Sequence, residues 1–200
     1  MENRFEEMYK IDNTPWDHGM PDSNLIDMVA QRPIPRCKAL DVGCGTGDNA
    51  IWLAQRQFVA TGCDLSRTAI EKAKGKAARS SASCSFIVAD FLKDGIPGSP
   101  FGLVFDRGCL HCISTAKERR QFAENVAVHL EEDGLWLALA GNADGQVREV
   151  GPPTLTAKEL VVAVEPCFEI VSLATGHFGS DQADPPKAWV CLMQKRKGIL

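Results

Sequence analysis

Three glycines at alternate positions, in Leu40-Asp41-Val42-Gly43-Cys44-Gly45-Thr46-Gly47, follow directly on an apolar run. Without Cβ atoms the backbone there can turn sharply and pass close to a bound molecule, so the stretch reads as a ligand-holding loop. A bare glycine-rich turn and a dinucleotide-binding turn are the alternatives that glycines alone leave open. The dinucleotide fingerprint G-x-G-x-x-G wants its third glycine where this chain has Asp48, and here it comes one residue early. Two acids close later apolar runs: Asp64, and Asp90 with Phe91 after it. A carboxylate at such a strand end can accept two hydrogen bonds from neighbouring hydroxyls. Asp106-Arg107-Gly108 is followed by His111, and Asp17-His18 lies far upstream. These are the side-chain types that proton transfer and anion binding require.

Groups so far apart in sequence need alternating elements to bring them together. Lys38 to Val42 reads as a buried strand, and Asp48 to Arg56 has helical patterning. Phe58 to Cys63 is a second strand, after which Ser66 stands as N-cap of a helix over Thr68 to Ala78. Cys84 to Ala89 is a third strand, Gly95 to Pro100 a turn-rich break and Phe101 to Phe105 a fourth strand. Thr115 to Leu130 is an amphipathic helix with Phe122, Val126 and Leu130 on one face, closed by Asp133-Gly134. Leu135 to Ala140 is a fifth strand and Gly141 to Thr154 a loop. Thr156, with Glu159 three residues on, predicts a capping box for a helix over Ala157 to Val164. Phe168 to Ala174 and Ala188 to Met193 are the last two strands. This rhythm predicts an α/β fold: a mostly parallel seven-stranded sheet with helices on both faces. The last two strands, joined without a helix, predict an antiparallel ending. Ligands of such sheets sit at the carboxyl ends of the early strands.

The run Asp41-Val42-Gly43-Cys44-Gly45-Thr46-Gly47 resembles the first motif of class I S-adenosylmethionine-dependent methyltransferases. The resemblance implies a Rossmann-like domain. In it Gly43, Gly45 and Gly47, with Cys44 and Thr46 between them, would line the methionine and ribose part of S-adenosyl-L-methionine, and Asp41 would help hold its amino group. Asp64 is then expected on the ribose hydroxyls, Asp90 on the exocyclic amine of adenine, and Leu65 or Phe91 beside the base. Phe105-Asp106-Arg107-Gly108 and Gly151-Pro152-Pro153 resemble the thiopurine methyltransferase type, whose layout is shared by thiol, halide and tellurite-resistance methyltransferases. The chain departs from the thiopurine pattern where Thr154-Leu155 replaces an aromatic pair. In that group an N-terminal helical lid folds over the cofactor, and the corresponding segment here runs from Tyr9 to Gly19, with Tyr9 and Trp16 as the covering residues. The implied layout is one methyltransferase domain over residues 1–200, with a lid segment at 1–35 and the core at 36–200.

Because the sulfonium of that cofactor is already a strong electrophile, leaving S-adenosyl-L-homocysteine as product, the protein has chiefly to place a nucleophile and exclude water. His111, and His18 in the lid, are candidates for lowering the pKa of a thiol acceptor, with Asp17 as a further acid-base group. Arg107 can be either a salt-bridged scaffold residue or the holder of a substrate or cofactor carboxylate, and the resemblance favours the site. His177-Phe178 can wall the acceptor pocket. Cys109 and Cys112 read as packing residues, and no second pair completes a metal set, so no metal is expected. The formal net charge of -4 gives no cationic field of the kind that drives binding to phosphate backbones, so nucleic acid is a poor partner. No apolar run approaches membrane-spanning length. The acidic N-terminus lacks the basic and apolar segments of a signal peptide, which predicts a cytoplasmic location. The expectation is an enzyme that methylates a small molecule, with thiols and related soft nucleophiles among the acceptors. A non-catalytic S-adenosylmethionine-binding protein and a methyltransferase acting on a macromolecule are the alternatives. Nothing in the patterning sets an oligomeric state.

Overall fold

The computed structural model describes residues 2–32, 34–145 and 153–198, with side chains from residue 4 onward. Seven strands form one sheet: β1 (Lys38–Val42), β2 (Val59–Asp64), β3 (Ser85–Val88), β4 (Phe101–Arg107), β5 (Leu130–Gly141), β6 (Phe168–His177) and β7 (Lys187–Lys195). Their order is β3-β2-β1-β4-β5-β7-β6. The first five pair in parallel, whereas β7 inserts between β5 and β6 and runs antiparallel to both. The expected antiparallel ending is therefore a strand slotted inside the sheet, with β6 at the edge.

Alternation along β1 sorts the layers. Leu40 and Val42 point to one face, where they pack with helices α5 (Ala116–His129) and α6 (Ala157–Val164). Ala39 points to the other face, which is covered by α2 (Ser23–Gln31) and α3 (Asp48–Gln55). α4 (Arg67–Ser80) and α3 enclose a smaller cluster with Cys44 and Phe86. Burial on both faces is what a parallel sheet needs, and it explains why these strands read as continuous apolar runs. No helix among the described residues is long and apolar enough to cross a membrane.

Local chemistry sets the boundaries that matter for the site. Ser66 caps α4 by accepting the N–H of Ala69. Thr156 and Glu159 form the reciprocal capping box of α6. One expectation fails at α5. That helix ends at His129, and β5 begins at once at Leu130, so Asp133-Gly134 lies in an irregular early part of the strand rather than after a helix. A side chain at Gly134 would meet Leu130 and the carbonyl of Glu131, and the register against β4 shifts over this stretch. Of the Gly151-Pro152-Pro153 motif, Gly151 and Pro152 lie outside the described residues.

The register brings the strand ends level. Val42 pairs with Cys63 on β2 and with Asp106 on β4, so Gly43, Asp64 and Arg107 emerge at one edge. The strand order reverses between β1 and β4, and this switch point opens the crevice where open α/β sheets bind ligands. The N-terminal segment covers it. Helix α1 (Glu2–Lys10) lies on α4, where the Glu6 carboxylate accepts the hydroxyls of Ser66 (2.6 Å) and Thr68 (2.7 Å) and the N–H of Thr68 (3.2 Å). The Lys72 ammonium holds the carbonyl of Tyr9 at 2.6 Å.

The Ser66 and Thr68 hydrogen bonds hold the Glu6 carboxyl at about 2, below its ordinary value. A lowered folded pKa means that this latch is at full strength above the ordinary carboxyl range and weakens only as pH falls toward 2. Glu6→Ala should therefore raise the rate of limited proteolysis within residues 10–21 at pH 7, with the core's thermal midpoint almost unmoved. In the wild type, proteolysis there should not vary between pH 6 and 8. A pH-dependent rate in that window would show that a different group latches the segment.

Candidate active site

The turn after β1 is built on left-handed backbone. Gly43 has φ +65° and Gly45 φ +52°. A Cβ on Gly43 would overlap the Cys109 thiol, and one on Gly45 would lie 2.6 Å from the Tyr9 hydroxyl. Both conformation and space thus demand glycine. Gly47, also left-handed, starts α3, and Cys44 turns its side chain inward to pack with Ala50, Ile51 and Phe86. Cys44 therefore offers the loop surface only its backbone.

Carboxylates gather around this turn. Asp64, at the end of β2, accepts the N–H groups of Gly45 (2.9 Å) and Ser66 (2.8 Å), which ties the glycine turn to the second strand. Burial pushes its carboxyl upward, and those two N–H groups oppose the shift. Asp41 is buried, and its Oδ2 has no hydrogen-bond partner among the described residues. Burial, aided by the nearby charges of Asp64, Asp106 and Asp48, pushes its carboxyl well above the ordinary range. Asp106, wholly buried below the Cys109 and Leu110 N–H groups, is pushed up to about 7 by burial. A cluster of this kind favours a cationic ligand. S-adenosyl-L-methionine, with its sulfonium and ammonium, fits a bare glycine cradle that holds an orphaned buried carboxylate oxygen and has a second acid at the next strand end.

At the outer edge, Asp90 caps its own turn by accepting the Leu92 N–H (3.0 Å) and pairs with Lys93 at 2.6 Å. Phe91 corrects the sequence reading. Its ring is buried in the core against Phe122 (5.0 Å between centroids) and His129 (5.5 Å), so its side chain does not flank a base at the crevice. Leu65, half-buried in the β2–α4 turn, remains at the site edge.

The lid residues meet on the glycine turn. Trp16 is packed edge-on against Tyr9 (5.9 Å) and Phe5 (5.6 Å), and its indole N–H donates to the Tyr9 hydroxyl at 3.0 Å. Asp17 accepts the Thr46 hydroxyl at 2.8 Å, and the same hydroxyl accepts from Lys76 at 2.7 Å. Asp17 is thus a tether between lid and loop. His18 is likewise held, through Nδ1, by Asp181 in the β6–β7 turn at 2.9 Å.

Of the two roles open to Arg107 in the sequence, the geometry shows the scaffold one. Its Nε donates to Asp22 (2.7 Å), Nη1 to the carbonyl of Trp16 (3.2 Å) and Nη2 to the carbonyl of Gly179 (2.7 Å). Its guanidinium also lies over the Phe178 ring at 5.3 Å. His111, in the 3-10 turn Leu110–Cys112 after β4, accepts the N–H of Gly141 on Nδ1 at 2.7 Å. Burial, reinforced by Arg107, lowers its pKa to about 4, so at neutral pH the ring is uncharged with its proton on Nε2. In this state His111 offers a hydrogen bond from Nε2 while its Nδ1 is occupied by the Gly141 N–H. Phe178 packs edge-on against it at 5.8 Å. Cys109 and Cys112 are half-buried, and burial of the thiols pushes both upward, that of Cys112 to about 11. Glu6 and Asp22 were missed by the sequence reading. Asp22 had a signal: Pro21-Asp22-Ser23 precedes Leu25 and Met28 at helical spacing, an N-cap signature.

Comparison with known proteins agrees with this geometry. The family described as "Methyltransferase domain" matches residues 39–134, the stretch that carries the glycine turn, Asp64, Arg107 and His111. A probable thiol methyltransferase 2 of Arabidopsis thaliana is 29% identical over 151 residues, which are 74% of this chain and 65% of that relative's length. The match thus spans less than two thirds of the curated relative. A structure concerned with conversion of a disulfide bond into a thioacetal group during echinomycin biosynthesis superposes with TM-score 0.84 at 22% identity, covering 99% of this chain and 93% of the other. A magnesium protoporphyrin IX methyltransferase of Synechocystis, solved with S-adenosylmethionine bound, superposes with TM-score 0.67 at 16% identity over 97% of this chain and 82% of the other. The chain is similar to class I S-adenosylmethionine-dependent methyltransferases, a thiol methyltransferase among them.

Proposed function

We propose that the whole chain, residues 1–200 with 1–35 as lid, acts as one methyltransferase domain that methylates a small soft nucleophile, a thiol among the candidates, in its ionised form. When bound, S-adenosyl-L-methionine supplies the electrophilic methyl group. Gly43, Gly45, the backbone of Cys44 and Thr46, Asp41, Asp64, Leu65 and Asp90 would hold it, and Tyr9 and Trp16 would cover it. The observation that carries the acceptor class is the protonation pattern of the acceptor side. His111 offers an N–H, because its Nδ1 accepts the Gly141 N–H and the proton therefore sits on Nε2. A hydrogen-bond donor in that place suits an acceptor that arrives already negative, and a thiolate is such an acceptor. The thiol named for the plant relative points the same way. Phe178 and Trp16 supply the apolar walls that exclude water and favour a polarizable sulfur over oxyanions. The acidic balance of the chain speaks for a small acceptor rather than a nucleic acid.

Asp64→Ala should weaken S-adenosyl-L-homocysteine binding by about 1.5–3 kcal/mol, the worth of hydrogen bonds to a charged group, as read by calorimetry. Unchanged affinity would place the cofactor's hydroxyls elsewhere. His111→Ala should lower kcat about tenfold, one lost N–H to an anion, with cofactor affinity held. With a series of thiol acceptors, kcat/KM should rise with pH to a plateau whose midpoint follows each acceptor's own pKa. The neutral His111 adds no second ionisation above pH 5. A midpoint that stays constant across the series would reveal an enzyme base and overturn the ionised-acceptor reading.

A further inference from the structure

Asp22, which ends the N-terminal segment and caps α2, has a side chain shut off from solvent. Capping needs one bond, from the Asn24 N–H to Oδ1 at 2.9 Å. The carboxylate takes three more: Asn24 Nδ2 at 2.8 Å on Oδ1, and Arg107 Nε at 2.7 Å and the Gly179 N–H at 2.8 Å on Oδ2. Its own N–H donates to the Asn49 side chain at 2.8 Å, in the first turn of α3 just past Gly47. One buried residue is thus bonded to the helix of the glycine turn, to the end of β4 and to the β6–β7 turn.

The β6–β7 turn is gripped from three directions. Gly179 binds Asp22 through its N–H and Arg107 through its carbonyl (2.7 Å), and the carbonyl of His177 accepts from Asn24 Nδ2 at 2.9 Å. A Cβ at Gly179 would come within 2.7 Å of the Ser23 nitrogen and 2.9 Å of Asp22 Cγ, so the contact is close along its whole length. Between the two gripped residues sits Phe178, whose ring packs on His111. The same Arg107 holds the lid through the Trp16 carbonyl.

We propose that Asp22 is a positioning residue that couples closure of the lid over the glycine turn to assembly of the His111–Phe178 wall. The inference rests on the reading above that this wall faces the acceptor. A buried carboxylate and guanidinium tolerate the loss of neither partner, because the one left behind has no water to solvate it. Lid, Arg107 and turn therefore dock or release together, and a ligand that stabilises the lid stabilises the acceptor wall by linkage. Methyl transfer gains from such coupling, since the acceptor wall is complete only when the cofactor is covered.

The test uses the full chain and S-adenosyl-L-homocysteine as the probe, with amide exchange resolved for residues 4–18 and 177–181. In the wild type the probe should slow exchange in both segments. In Asp22→Asn, which keeps the shape and removes the charge, calorimetric affinity for the probe should stay within about threefold, and residues 43–50 should still be protected. Protection of 177–181 by the probe should be lost. With hydrosulfide as acceptor, kcat of this variant should fall about tenfold or more, the usual cost of misplacing a reacting group, with the KM for S-adenosyl-L-methionine nearly unchanged. If Asp22→Asn does not fold, Asn24→Ala serves. It removes the His177 strap and leaves the Asp22–Arg107 pair, and it should diminish the probe's effect on 177–181 alone. A wild-type turn indifferent to bound probe, or a variant turn that responds as the wild type does, would overturn the coupling and leave the cofactor site standing. Failure of the wild type to bind the probe would remove the site reading, and the coupling with it.

Discussion

The turn after β1 can exist only as bare backbone. Its left-handed residues and the groups pressed where side chains would go, the Cys109 thiol at Gly43 and the Tyr9 hydroxyl at Gly45, make it the point from which the crevice is laid out. The parallel register sets the ends of β2 and β4 beside it, and Asp64 then fastens the second strand to the turn through the Gly45 N–H. A Cβ at any of these positions would move the loop away from the crevice and separate groups that the sheet has brought level. The lid depends on the same bareness, because Tyr9 lies against Gly45 only where no side chain intervenes.

Electrostatics divides the crevice in two. On the glycine side, Asp41, Asp64 and Asp106 share a poorly solvated region in which each makes the next harder to ionise or is itself held back by burial, and that region has an unmet demand for positive charge. On the far side, His111 presents an N–H, while the charge of Arg107 is paired with Asp22. A cationic cofactor would find its complement on the glycine side. The Asp22–Arg107 pair lies between the halves and keeps the positive charge of Arg107 from being free to bind whatever enters.

Much of the fold was legible in the sequence because its signals are local. Val42 followed by alternate glycines marks the end of a buried strand, Ser66 and Thr156 are caps whose partners lie three residues on, and the core strands are apolar throughout because both faces are covered. The misreadings came where a local signal has two outcomes. Asp133-Gly134 suggests a stop but sits in an irregular strand. Phe91 beside an acid resembles a base-flanking residue, yet its ring packs into the core against Phe122 and His129. Asp22 carried a cap signature that went unread, and even a correct reading would have predicted a cap alone.

What the sequence by itself determined is the α/β order of elements, the glycine turn and the acids that close the first strands, since each follows from backbone geometry and hydrophobic periodicity within a few residues. What only the tertiary structure decided is the state of the polar side chains. Arg107 was open between two roles until Asp22, from 85 residues away, was seen to accept its Nε, and His111 looked like a base until Gly141, 30 residues on, claimed its Nδ1. The physical reason is that the role of a buried polar group is set by the partner that satisfies it, and here those partners come from strands and turns that meet only when the sheet has formed.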